Sequence, residues 1–526
     1  MQTQAPAGKR SGTTARRITP SMSAIKAEAF GYDQARHLLW RAGFGGTPQQ
    51  VQTLVGWGPE KSVDYLLAPE KVEFEEVKAD RFDRDIMRAP TAEEQRMGRE
   101  ARRTRDEESL ARLAQLRQQR EIDDRRQART MQRWWVQRLI ESPRPLEERM
   151  VLFWHGHFAT SYRTIENSYH MFKQNMLFRR HALGNFGELL FEIIRDPAMI
   201  AYLNNNQSRK GRPNENLARE LMELFSLGIG GYTEQDIKEG ARALTGYTFN
   251  DDRFVFRRND HDEGKKTILG VTGMLDGDGF VRAILGRKAC SQFMARKLYK
   301  YFVADIPPLE ASDNDRDLDP SMKAAIADLA SVMLSGKYNL KPVLRRMFLS
   351  EHFYDPRLMN QQIKSPVQLV VGAIRSLNVP VRDLRSLSEG EDSALGLMGQ
   401  SLFFPPSVKG WDGGRSWMNT STYYVRQNIL AFLLTGKKAQ GFDAMADVER
   451  YDAAPLLSEL AKADPGAEKD PERVIDYLLR FTIGSAPEEA RAALREFARG
   501  LSGGATRDAV TGMLLLITAM PEYQLC

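Results

Sequence analysis

Cysteine is nearly absent from this chain, with two in 526 residues, Cys290 and the terminal Cys526. There is no CxxC pair and no metal-type cysteine spacing, so a disulfide framework is not expected. Long hydrophobic runs are missing too. The longest, such as Met513–Met520, reach less than half of the roughly 18 apolar residues a membrane span needs. Histidine is scarce, at seven residues. The sequence also contains no phosphate loop, no dinucleotide fingerprint and no GxSxG nucleophile elbow. The net charge of +6 is small for a chain of this length. No concentrated basic face with aromatic platforms stands out, so nucleic-acid binding is not expected.

What is present is helical patterning. Residues 1 to 28 are small, polar and basic and read as a disordered leader, because they cannot offset the entropy of ordering. The leader holds an Arg pair with no apolar stretch after it, so the expected location is cytoplasmic, or periplasmic or exported if the leader is a processed remnant. From residue 29 to 526 the chain reads as one helical domain. Ala35, Leu38, Leu39 and Ala42 share a face. Thr47, Pro48 and Gln50 then form a capping box with proline at the first helical position. Residues 92–133 hold twelve arginines and nine acids without a proline, which favours one long solvated helical arm. Pro143 and Pro145 precede a stretch that is apolar nearly all round from Met150 to Trp154, the mark of a central core helix. Strand signals are confined to a small hairpin near 247–257 around Asn250, Asp251 and Asp252. The expected fold class is mostly α, a large multi-helix array carrying that hairpin and that arm.

Polar groups that are hard to bury concentrate between Asn204 and Gly270. On the helix that ends at Gly228, Leu217, Leu221 and Leu224 form a core stripe, with Asn216, Glu220 and Glu223 along its edge. Carboxylates beside a core face need arginines, a cation or a substrate as partners. Arg242, on the next helix, is placed to be one such partner. That helix opens with Thr233 and Asp236 in a capping box, which gives Asp236 a structural role. His155 and His157 flank Gly156. In one continuous helix they point about 200° apart; if Gly156 ends the helix they turn together, and with Glu220 and Glu223 they suit zinc or iron. His261 and Asp262 suit an acid–base dyad or a pair of ligands, and equally a turn in which Asp262 caps the backbone. The run from Asp276 to Gly279 resembles a calcium loop, but Arg287 stands where the closing Glu belongs, so it reads as a turn and helix cap.

Several pieces together resemble a bacterial family catalogued as domain of unknown function 1800. They are RHLLWRAGFGGTP at 36–48, ERMVLFWHGHFATS at 148–161 and NENLARELMELFSLG at 214–228. YTEQDIKEGARALTGYTF, HDEGKKTILG, KSPVQLVVGAIRSL, FPPSVKGWDGGRSWMNT and MPEYQL continue the match in order. The resemblance implies one extended, mostly helical unit and assigns no activity. It also implies an exported location and a sulfatase-like companion family as partner; this chain departs from the pattern in its missing signal and its arginine-rich arm.

Two functional readings follow. In the first, the protein is a metal-dependent hydrolase or oxidoreductase. His155, His157, Glu220 and Glu223 would hold a divalent metal, and His261 and Asp262 would be catalytic. Asn214, Asn216, Arg242, Trp411 and Asp412 would bind substrate, the last two from a covering loop. In the second, it is a non-catalytic helical scaffold that docks partners through its charged arm and basic surface.

Overall fold

The computed structural model of the protein describes residues 18–75, 77, 82–307, 318–380, 383–439, 447–499 and 506–526. The expected leader lies outside the described residues as far as position 17. Over 18–28 the chain is packed: Ala24 bridges Ser350, the Ile25 amide donates to the Leu349 carbonyl at 2.7 Å, and Met22 and Ile25 are buried.

Helix α1 (Tyr32–Ala42) and helix α2 (Pro48–Leu66) form a packed pair. The Thr47–Gln50 capping box forms as the sequence predicts, and Gly58, at φ 76°, kinks α2 where Pro59 restarts it.

The arm departs from expectation. It is a helical hairpin of α3 (Ala92–Thr104) and α4 (Glu107–Glu141), not one long helix. Arg105 adopts a left-handed conformation at φ 56°, and Asp106 caps α4 by accepting from the Ser109 amide. Glu94 on α3 then meets Arg120 on α4, and Gly98 lies against Leu113, an antiparallel return. The distal half of α4 enters the core. There Asp124 accepts from the Ser168 amide, the Ser168 hydroxyl and the Tyr162 hydroxyl.

Helix α5 (Pro145–His157) is the central helix its composition predicts, with eleven of its thirteen residues buried. Helices α6 (Tyr162–Ile165), α7 (Ser168–Arg180), α8 (Phe186–Ile193) and α9 (Pro197–Tyr202) follow it. The Glu148 side chain, 0% exposed, joins three of these elements. It accepts from Arg179 Nε at 2.8 Å and Nη2 at 3.0 Å, from Arg138 Nε, and from Trp135 Nε1 at 3.3 Å. Burial alone would raise this carboxyl. Arg179 and Arg138 outweigh it and hold the carboxyl at about 2.

Next come α10 (Asn216–Glu223), α11 (Glu234–Ala243) and the expected hairpin of β1 (Tyr247–Asn250) and β2 (Arg253–Phe256). Tyr247 pairs with Phe256 and Asn250 with Arg253 across an Asp251–Asp252 turn. The sequence reading misses a second hairpin, β3 (Lys266–Ile268) with β4 (Val271–Gly273). Its turn holds Leu269 at φ 51° and Gly270 at φ 83°. A left-handed leucine is not a turn signal. The Leu269 amide is secured by Asp236 Oδ1 at 2.6 Å.

Helix α12 (Gly277–Leu285) starts on an Asp276 cap, as expected, and α13 (Lys288–Phe302) packs along α14 (Pro320–Ser335). The remainder is α15 (Leu340–Leu349), α16 (Pro366–Leu377), α17 (Leu384–Ser388), α18 (Ala394–Leu397) and α19 (Thr420–Thr435). Last come α20 (Ala454–Ala463), α21 (Pro471–Thr482), α22 (Glu488–Arg499) and α23 (Arg507–Ala519). The fold is mostly α, and its buried apolar side chains form one continuous cluster from Met22 to Tyr523. Among the described residues no helix is long and apolar enough to cross a membrane.

Candidate functional site

A cavity of about 330 Å³ lies where α5, the end of α10, α13 and the loop before α19 meet. Two helices supply its walls through the same periodicity. Arg149, Leu152, Phe153, Gly156 and His157 face it from α5, and Phe293, Arg296, Lys297, Lys300 and Tyr301 from α13. Both sets follow the i, i+3, i+4, i+7, i+8 pattern of one helical face. Glu223 and Leu224 close one side, while Lys409, Trp411, Asp412 and Trp417 come from the glycine-rich loop. That loop is tied down at Gly410, whose φ is 77°; a Cβ there would sit 2.1 Å from the Gly156 carbonyl oxygen. Only glycine permits this approach.

The lining is cationic, with Arg149, Arg296, Lys297, Lys300 and Lys409 against Glu223, Asp305 and Asp412. Asp305 is 3.6 Å from Lys300, and Glu223 accepts from the Tyr232 hydroxyl at 2.8 Å. Arg149 is 2% exposed. Its guanidinium stacks 4.4 Å from the Tyr301 ring centre and meets no carboxylate or carbonyl among the described residues. Lys297 is half-buried, its ammonium 5.3 Å from the Phe293 ring centre. Burial, reinforced by the charges of Lys300 and Lys409, lowers it to about 8.

Three buried polar atoms of this lining have no hydrogen-bond partner among the described residues: Arg149 Nε, His157 Nδ1 and Trp411 Nε1. The His157 Nε2–H donates to the Phe225 carbonyl at 3.0 Å, which leaves Nδ1 as an acceptor. Burial, aided by the Lys297 charge, pushes this imidazole far below its ordinary range, so it is neutral. An unsatisfied buried polar group is costly. Two of these atoms come from α5 and the third from the loop that faces it.

The structure divides the sequence-predicted residues into two groups. His157, Glu223, Trp411 and Asp412 share the cavity. His155 lies just behind, its ring 5.5 Å from that of Trp411, with Nε2 accepting from the Phe403 amide at 3.1 Å. Burial drives it to about 3. Helix α5 runs unbroken through Gly156, so the two imidazoles point to opposite sides, as continuous helix geometry requires. Glu220 stands beside Glu223, and burial together with that neighbouring charge raises its carboxyl. Arg219 pairs with Glu215 and Glu234, and among the described residues no arginine pairs with Glu220 or Glu223.

The second group surrounds the two β-hairpins and does not line the cavity. Asp262 accepts from Arg242 Nε at 2.7 Å and Nη2 at 3.1 Å, and takes the Gly264 amide at 2.8 Å. The Arg242 hydrogen bonds hold its carboxyl at about 2. His261 Nδ1 is used on the Thr245 carbonyl at 2.8 Å. The contacts of the His261–Asp262 pair are those of a capped turn. Arg242 serves Asp262 and Glu239 rather than Glu220 or Glu223. Asn214 caps the approach to α10 by accepting from the Asn216 amide at 3.0 Å, and Asn216 is exposed.

Among the described residues no group of three or more His, Cys, Asp or Glu side chains is arranged to hold a metal ion. The expected ligands His155, His157, Glu220 and Glu223 do not fit zinc or iron, because His155 and His157 diverge and each already spends its Nε2 on the backbone. The residues the sequence reading passed over are Arg149 and the α13 cations. Their signal was present: cations and aromatics share one helical face in each element.

The described residues form a mostly helical unit that carries a cationic, aromatic cleft. The chain belongs to the protein family of unknown function DUF1800, whose sequence model matches residues 37–525. No curated protein and no solved structure matches it.

Proposed function

We propose that the protein is an enzyme whose cleft binds a small organic anion with a flat, apolar body. The observation that carries this reading is the unpartnered Arg149 guanidinium, buried beside Tyr301 and facing a cavity that also presents Lys297, Lys300 and Lys409. A buried cation without a counter-ion is strongly unfavourable, and an arriving carboxylate relieves it with paired charge-assisted hydrogen bonds. Phe153, Phe293 and Trp411 supply apolar faces for the ligand body, and Trp411 Nε1 supplies a further donor.

Calorimetric titration with phenyllactate, an aromatic carboxylate, tests this. The wild-type protein binds one equivalent. Arg149→Met, which keeps the apolar stem, weakens binding about 10- to 100-fold, the value of a charge-assisted hydrogen bond. Equal affinity in the two proteins would remove Arg149 from the site.

A further inference from the structure

Lys297 differs from the other cations of the cleft. Arg296 donates to the Pro307 carbonyl at 2.9 Å and Lys300 lies near Asp305. Lys297 has neither kind of contact among the described residues, and the charges that act on it, those of Lys300 and Lys409, are of its own sign. It projects from the middle of α13 over the Phe293 ring, on the same lining as the Arg149 guanidinium. An amine in such surroundings is favoured in its neutral, nucleophilic form.

We propose that Lys297 is a covalent nucleophile that forms an imine with the carbonyl of a 2-oxo acid whose carboxylate is held by Arg149. This rests on the anion-binding reading above and adds the reaction class. The neutral Nζ adds to the ketone carbon, forming the C–N bond, and a proton passes from nitrogen to the former carbonyl oxygen. That oxygen then takes the second proton from nitrogen and leaves as water while the C=N bond forms, so amine and ketone become imine and water and no electrons are gained or lost. The Trp411 loop, docked through Gly410 on Gly156, forms one side of the cleft in which the imine would sit. The neutral His157 Nδ1 offers an acceptor to the O–H of the intermediate. The lowered affinity of Lys297 for its proton, to about 8, leaves a useful neutral fraction near neutral pH.

The test treats the full chain with phenylpyruvate and borohydride, followed by intact mass and peptide mapping, with phenyllactate as an anion that lacks the ketone. The expected result is one reduced adduct per chain, on Lys297. It should be lost in Lys297→Met and suppressed in the wild-type protein by excess phenyllactate, which does not depend on the variant folding. Labelling should also rise with pH through about 8. If phenyllactate binds and no adduct forms, or adducts scatter over surface lysines, the imine is wrong and the anion site stands. If phenyllactate does not bind, the anion site itself is wrong and the imine falls with it.

Discussion

Replacing Glu148 with Gln should destabilise the protein by about 3 kcal/mol near neutral pH. The carboxylate is fully buried and neutralises two guanidinium groups drawn from α4 and α7. Its folded-state value of about 2 lies well below the ordinary 4.5. That difference corresponds to roughly 3 kcal/mol of stability. Burial lowers the partner Arg138 as well, so part of the carboxylate's gain is offset there. Breaking a buried pair independently suggests a cost of about 3–5 kcal/mol, because the remaining charge is left uncompensated. A depressed carboxyl contributes stability that is complete above about 4.5 and is lost as pH falls through about 2. The protonated wild-type side chain resembles the amide, so the two proteins should converge in acid, the gap narrowing to about 2 kcal/mol near pH 3.5. Urea unfolding followed by tryptophan fluorescence reads this, since Trp135 touches the network and Trp134 stacks on Arg179. A variant midpoint equal to wild type, or a gap that does not change with pH, would refute the electrostatic account of this core.

Other outcomes follow from single contacts. Gly410→Ala places a methyl against the Gly156 carbonyl at a left-handed position. It should cost about 1–3 kcal/mol locally and speed amide exchange over 404–417, measured by mass spectrometry. Asp196, buried at the α9 cap, is raised to about 6 by burial. A raised carboxyl contributes stability below about 4 that is lost as pH rises through about 6. The melting temperature should therefore fall across that window in wild type and stay flat in Asp196→Asn. Asp262→Asn should loosen the Arg242 contact, seen as a lower melting temperature, and leave phenyllactate affinity within about twofold, because Asp262 is outside the cavity.

Much of the fold is readable in local chemistry. The capping boxes at Thr47 and Thr233, the apolar circumference of α5, the first hairpin and the Asp276 cap all form where the residues indicate. The arm misleads because charge pairing along a helix is indifferent to a two-residue break. Arg105 and Asp106 carry ordinary helix-compatible side chains, and only tertiary return to Glu94 selects the turn. The site is half legible. Loop composition points to Trp411 and Asp412, and helix-edge position points to Glu223. For His261 and Asp262, adjacency in sequence says nothing of Arg242 and Thr245, which bond to them. Arg149 and Lys297 pass unnoticed because a charge on a helical face looks solvated until the facing helix is known.

Diffraction from crystals soaked in phenyllactate tests the central claim most directly. The carboxylate should lie within hydrogen-bond reach, about 3 Å, of the Arg149 guanidinium, with the ring among Phe153, Phe293 and Trp411. Ligand density at any other place, or a carboxylate turned away from Arg149 toward solvent, would contradict it.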